Sequence, residues 1–337
     1  MILPWSPLLA PPARGFEPDE RPLGFSLAVR PGGYAWWYVD ALSDEGDYGL
    51  TLIAFVGSVF SPWYARERRV MRAGGAPADP ERHCAINVAI YRRQGRDVWA
   101  FTEHREFARE RLQFRLGASA LRWTVDDRGP RLEITIAERT AITGRAIRGR
   151  VILRPSALFG PRVALDPGER HRWYPIAPHA RVEAEFERPE LRFSGSGYHD
   201  VNEGDEGLEH AFTRWSWSRA ELDRDRTAIL YDVAGSEPRA FEFSPATRTM
   251  TTLDPREFGP SVALAKTGWR IERTIRSDRG TRPALIRTLE DTPFYSRNLI
   301  ALTLRGQATT AVHESIDLQR FARAWVRFLL PFRIRRS

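Results

Sequence analysis

The chain has 337 residues, enough for two domains or one large β-structure, and its 42% apolar and 28% charged content separates it from disordered chains. Its formal charge of +8 rests almost wholly on arginine, since Lys266 is the only lysine. The arginines are interleaved with Asp and Glu rather than clustered, which argues against a nucleic-acid partner and leaves an anionic membrane surface as the better match.

Met1 to Pro12 is apolar but broken by Pro4, Pro7, Pro11 and Pro12, with no charged leading region. It reads as an N-terminal extension over residues 1–20, not as a signal peptide. Short alternating segments rich in β-branched and aromatic residues follow: 34–40, 50–56, 84–91 and 131–137, bounded by Gly, Pro and Asp. Cys84 is the only cysteine, which excludes a disulfide framework and fits a reducing compartment. A proline-rich stretch over 154–178 marks the region of a domain boundary, set at 190. A second series of strands is expected at 180–186, 213–218, 227–233, 240–243, 269–275 and 299–304. Strands so spaced predict antiparallel barrels or sandwiches, an all-β fold. The pattern gives a first β domain over 21–190 and a second over 191–312.

Residues 313–337 read as a basic amphipathic helix. Phe321, Ala322, Trp325, Phe328 and Leu329 follow Leu318 at helical spacing, with Ser315 as N-cap and Pro331 closing the segment. Arg320, Arg323 and Arg327 occupy its other face. Such a helix either docks on a barrel or lies on a membrane surface. No apolar run approaches the ~20 residues of a spanning helix. The expectation is a cytoplasmic protein, peripheral at the inner membrane.

Phosphate loops, dinucleotide fingerprints, nucleophile elbows and metal-ligand spacings of His or Cys are missing from the sequence, so neither cofactor nor metal is expected. The chain offers carboxylates set among aromatics instead. Two-residue alternation puts Tyr34, Trp36, Tyr38 and Asp40 on one face of a strand, and Trp215 with Trp217 on another. Further on stand Gly197-Tyr-His-Asp200, after a glycine-rich segment, and Leu230-Tyr-Asp-Val233. Tyr231 and Asp232, adjacent in a strand, must point to opposite faces.

The segments Pro31-Gly-Gly-Tyr-Ala-Trp-Trp-Tyr-Val-Asp-Ala-Leu-Ser-Asp44, Gly57-Ser-Val-Phe-Ser-Pro62 and His83-Cys-Ala-Ile-Asn-Val-Ala-Ile-Tyr91 resemble the acyclic carotenoid 1,2-hydratases of purple photosynthetic bacteria. So do His171-Arg-Trp-Tyr-Pro-Ile-Ala-Pro178, Gly197-Tyr-His-Asp200, Arg214-Trp-Ser-Trp-Ser-Arg-Ala220, Thr288-Leu-Glu-Asp-Thr-Pro-Phe-Tyr295 and Val312-His-Glu-Ser315. The resemblance runs from about Gly24 onward and implies two lipocalin-like barrels packed together. It also implies acid-catalysed addition of water to the terminal double bond of an acyclic carotenoid such as neurosporene or lycopene. Such a site needs a carboxylic acid that stays protonated near neutral pH, aromatic faces for a cation, and a held water. The candidates are Asp200 or Asp232 as acid, with the glycine-flanked Asp200 preferred and Asp40 next. His199 and Tyr231 would orient water or acid, and Trp36, Tyr38, Trp215 and Trp217 would form aromatic walls. Two other readings suit the same residues: a carrier that binds a carotenoid without chemistry, and a cofactor-free cyclase.

Overall fold

A computed structural model describes residues 24–337 apart from Arg224. The N-terminal extension expected over 1–20 lies outside the described residues. Among the described residues two mainly antiparallel sheets dominate: one of 13 strands and one of 7, with a two-stranded ribbon beside them. The all-β architecture with a short helical C-terminal segment is as expected from the sequence.

The large sheet is ordered around its longest hairpin, His171–Arg188 with Glu190–Gly204. Glu190–Gly204 pairs on its other side with Tyr34–Ser43, which continues to Tyr48–Val56, Cys84–Arg92 and Val98–His104. On the far side of the hairpin lie Ala146–Pro155, Gly129–Arg139 and Ser119–Asp126. The sheet curls so that its two halves touch: the Thr102 hydroxyl donates to Glu138 at 2.6 Å, and His104 lies 3.1 Å from the same carboxylate. Trp37, Val39, Leu52, Ile86, Ile134 and Val182 fill the inside of the curl.

Strand alternation then does the decisive work. Because successive side chains point to opposite faces, the first strand sends Trp37, Val39 and Ala41 into the curl. It turns Tyr34, Trp36, Tyr38 and Asp40 toward the second sheet. That sheet is built from Arg214–Asp223, Arg226–Val233, Arg239–Ser244, Ala284–Asp291, Tyr295–Leu304 and Gln307–Asp317, with Thr249–Leu253 at one edge. The face between the sheets is a core of its own, rich in aromatic rings such as Phe55, Trp173, Tyr198, Trp217 and Tyr231.

The boundary expected at 190 falls in the turn of the long hairpin, whose two strands belong to the same sheet. The chain passes between sheets over 205–213 instead. The misleading signal is the run of prolines. Pro175 lies at a register shift within strand His171–Arg188, and a second shift between Ala177 and Ala180 takes in Pro178. β-Bulges accommodate a residue that has no N–H to give the ladder. The strand expected over 269–275 is shorter, Arg273–Ile275.

The C-terminal segment also differs from the single helix over 313–337. Residues 313–317 complete strand Gln307–Asp317, so Ser315 is buried in a sheet. The N-cap is Asp317, whose carboxylate accepts from the Arg320 amide at 2.9 Å. Helix Leu318–Phe321 is separated from helix Ala324–Leu329, and the chain then returns to the large sheet, where Arg335–Arg336 pairs parallel with Val98–His104.

Candidate active site

Between the sheets lies a cavity of about 440 Å³. Trp36, Tyr38, Ile53, Phe55 and Phe101 line it from the large sheet, and Trp215, Tyr295, Glu314 and Ile316 from the smaller one. Trp269, Val326, Leu330 and Phe332 contribute from the segments that cover its rim. The lining is mostly apolar with a few polar groups, the ordinary make-up of a small-molecule site.

Asp200 sits directly across from Tyr38 in the paired strands and on the same face, one strand away from the cavity lining. It is buried and surrounded by neutral donors. The Trp173 indole donates to Oδ2 at 2.8 Å and the Tyr198 hydroxyl to the same oxygen at 2.6 Å, while the Asn202 amide reaches Oδ1 at 3.2 Å. Burial pushes its carboxyl up to about 7; the Tyr198 and Trp173 hydrogen bonds oppose that shift, and the charges of Glu314 and Asp40 add to it. Aromatic rings close around it. Trp173 packs edge-on against Tyr231 at 5.3 Å between centroids, and Tyr198 contacts Trp217 at 5.1 Å and Tyr38 at 5.9 Å.

Of the residues singled out from the sequence, Trp36, Tyr38 and Trp215 line the cavity. Trp217 lies behind it, packed between Tyr38 and Tyr198. Tyr231 is buried against Trp173. Two candidates point elsewhere. His199, next to Asp200 in its strand, faces the opposite side; its Nδ1 donates to the Tyr38 carbonyl at 2.8 Å, and its ring lies by Trp123. Burial lowers it to about 4, so it is neutral at pH 7. Asp232 faces away from Tyr231, as alternation requires, and forms a partly exposed pair with Arg276 at 3.1 Å. It has no part in the aromatic cluster.

Asp40 is a different kind of group. It is fully buried, accepting from Arg219 Nε at 2.6 Å and from Arg297 Nη2 at 3.0 Å. Burial alone would raise its pKa, but the two guanidinium groups outweigh that and hold the carboxyl below the usual range. It is a carboxylate at neutral pH and has no proton to give.

Four residues within the quoted motifs had been assigned no role. Trp173 and Tyr198 hold Asp200, and Tyr198 could have been found by its two-residue spacing from Asp200 on one strand face. Glu290 and Glu314 line the cavity directly. Burial raises the Glu290 carboxyl, which accepts from the Tyr91 hydroxyl at 3.0 Å. Among the described residues no group of three His, Cys, Asp or Glu side chains is arranged to hold a metal ion.

The curled sheet facing a second sheet across an aromatic interior is a lipocalin-like fold. The solved structure of an AttH protein from Nitrosomonas europaea superposes with a TM-score of 0.60 at 16% identity, covering 93% of this chain and 99% of that one. The structure of CghA gives 0.50 at 11% identity, over 89% and 95% of the two chains. The chain belongs to the carotenoid hydratase family, whose CrtC model matches residues 52–337. It is 46% identical over 327 residues to an acyclic carotenoid 1,2-hydratase of Thiocapsa roseopersicina, which covers 96% of this chain and 77% of that protein. It is 43% identical over 318 residues to that of Rubrivivax gelatinosus, over 93% and 75% of the two, and 34% identical over 290 residues to that of Rhodobacter capsulatus, over 85% and 97%.

Proposed function

We propose that this protein adds water across the terminal 1,2 double bond of an acyclic carotenoid, with Asp200 as the proton donor. The observation that carries the reading is a buried carboxyl pushed up to about 7 inside a cluster of aromatic rings beside an apolar cavity. A neutral Asp200 gives its proton to the less substituted alkene carbon, and a tertiary cation forms at the other. The π-face of Tyr38 in the cavity wall, backed by Tyr198 and Trp217, stabilises that cation. Water then forms the C–O bond and loses a proton, and Asp200 is reprotonated from solvent. Glu290 is the less suitable acid, because the Arg333 guanidinium acts on it and a cation nearby disfavours a second one.

The cavity takes the end of the hydrocarbon, and the remainder leaves by the rim. Trp269, Trp325, Phe328 and Phe332 are exposed there, with Arg320, Arg323 and Arg327 in the same segment. Apolar rings flanked by arginines suit the interface of an anionic bilayer, where the substrate resides. Among the described residues no helix is long and apolar enough to cross a membrane, so attachment would be by this rim.

The test is conversion of lycopene in anionic liposomes, read by product mass. The wild-type protein should yield a product heavier by one water, and Asp200→Asn should lower turnover by ~10² or more while still retaining pigment. Bound pigment with no product would favour a carrier, and an isomeric product a cyclase. Phe328→Ser combined with Phe332→Ser should weaken liposome binding; unchanged binding would dismiss the rim as the contact.

A further inference from the structure

Resting on the proposed hydration, we infer that Glu314 is the base that holds the attacking water and takes its proton.

Three residues stand in one row across neighbouring strands of the smaller sheet: Glu290 opposite Arg297, and Arg297 opposite Glu314. The single guanidinium between two carboxyl groups divides them. Arg297 is buried and pairs with Glu314 and, across the interface, with Asp40. Glu290 accepts a tyrosine hydroxyl, and burial raises its carboxyl against the opposing charges of Arg333 and Arg297. Glu314 therefore stands in the cavity wall as the partner of a cation, whereas burial raises the carboxyl of Glu290.

The two oxygens of Glu314 differ. Oε1 is pinned by the Tyr38 hydroxyl at 2.8 Å and by Arg297. Oε2 has no hydrogen-bond partner among the described residues, yet it is not shut away. The side chain is 15% exposed and lines the cavity. A carboxylate with one oxygen fixed and the other open to the cavity, whose wall also carries the polar side chains of Thr51, Asn87 and Tyr295, offers an acceptor for one water.

Its position relative to the acid fits. Tyr38 lies directly across from Asp200, and Trp217 directly across from Glu314, and the two rings meet at 5.7 Å. Proton donor and acceptor thus flank one aromatic pair. The other candidates are spent or misplaced. His199 faces away, Asp40 is enclosed by two arginines, and His171 is buried with Nδ1 bound to the Tyr34 hydroxyl at 2.9 Å. In the step itself, the water oxygen forms a C–O bond to the tertiary cation. One of its O–H bonds breaks, and the proton passes to Glu314 Oε2. Glu314 releases that proton to solvent and Asp200 takes one up, so the net change is one water added.

The experiment separates cation formation from water capture by running the reaction in D₂O with lycopene in liposomes. It measures deuterium in recovered lycopene against hydrated product. In Glu314→Gln the product should fall ~10²-fold, while the ratio of deuterated lycopene to product rises at least tenfold, because a cation that is not captured returns a proton. Glu314→Asp, which keeps the ion pair and serves should the Gln variant not fold, should raise the ratio to a lesser degree. A ratio equal to that of the wild type in the folded variants overturns the assignment, whether product persists or is lost, since a merely structural role affects both steps alike. Asp200→Asn should give neither product nor deuterium. If it exchanges deuterium like the wild type, the failure lies with Asp200 as the acid and not with Glu314.

Discussion

Asp40 and Asp200 lie on adjacent strands, on the same face, both removed from solvent. Yet one is ionised and the other is poised near neutrality. The second sheet puts two arginines on Asp40, whereas Asp200 is ringed by an indole, a phenol and an amide. Burial penalises the charged form of both; only the partner decides which form survives. The charged half of the interface joins the sheets, and the aromatic half holds a carboxyl raised by burial.

The comparison breaks first at Asp40. Asp40→Asn leaves Arg219 and Arg297 buried without their shared counter-ion, and should cost about 3–5 kcal/mol in urea unfolding. A loss near zero would mean that the arginines find other partners and that the pair does not join the sheets.

Asp200→Asn should act in the opposite direction on stability. In the folded wild-type protein this carboxyl holds its proton to about 7, while in the unfolded chain it releases it near ~3.9. Wild-type stability therefore falls as pH rises between those values and levels off above. The Asn variant has no such titration. Relative to wild type it should gain stability from pH 4 to pH 7, by up to a few kcal/mol at about 1.4 kcal/mol per pH unit. Wild-type turnover should decline as pH rises through about 7. Equal pH profiles of unfolding for the two proteins would remove the raised carboxyl from the argument.

Asp232→Asn gives the smallest effect. Its pair with Arg276 is partly exposed, so stability should change by about 0.2–1 kcal/mol and lycopene turnover should stay at the wild-type level.

These contrasts show what sequence pattern can carry. The alternation of Tyr34, Trp36, Tyr38 and Asp40 is local, and it placed all four on the site face. The same rule separated Tyr231 from Asp232 without saying which faced inward. It did not reveal that Arg219 and Arg297 reach Asp40 from 179 and 257 residues away, because no periodicity within a strand encodes its partner across an interface. Asp232 remained a candidate for that reason: its motif resembles that of Asp200, and only the tertiary neighbours differ. The prolines of 154–178 misled because a bulged strand and a linker share the same composition. The C-terminal helical spacing was genuine, but the break between its two helices has no sequence signal that we can identify.

The long hairpin has a consequence for motion. Its outer half, around Val182 and Ala184, is stitched into the curled core, and its inner half carries Trp173, Tyr198 and Asp200. Around Asp200 the strand Glu190–Gly204 is bonded on both edges and buried on both faces, and such backbone opens only with the whole sheet. The rim is built differently, from helices of four and six residues with several rings in solvent. If the rim is the entry proposed above, its displacement, on the slower clock of loop and helix motion, would set how quickly a long polyene is threaded in and withdrawn.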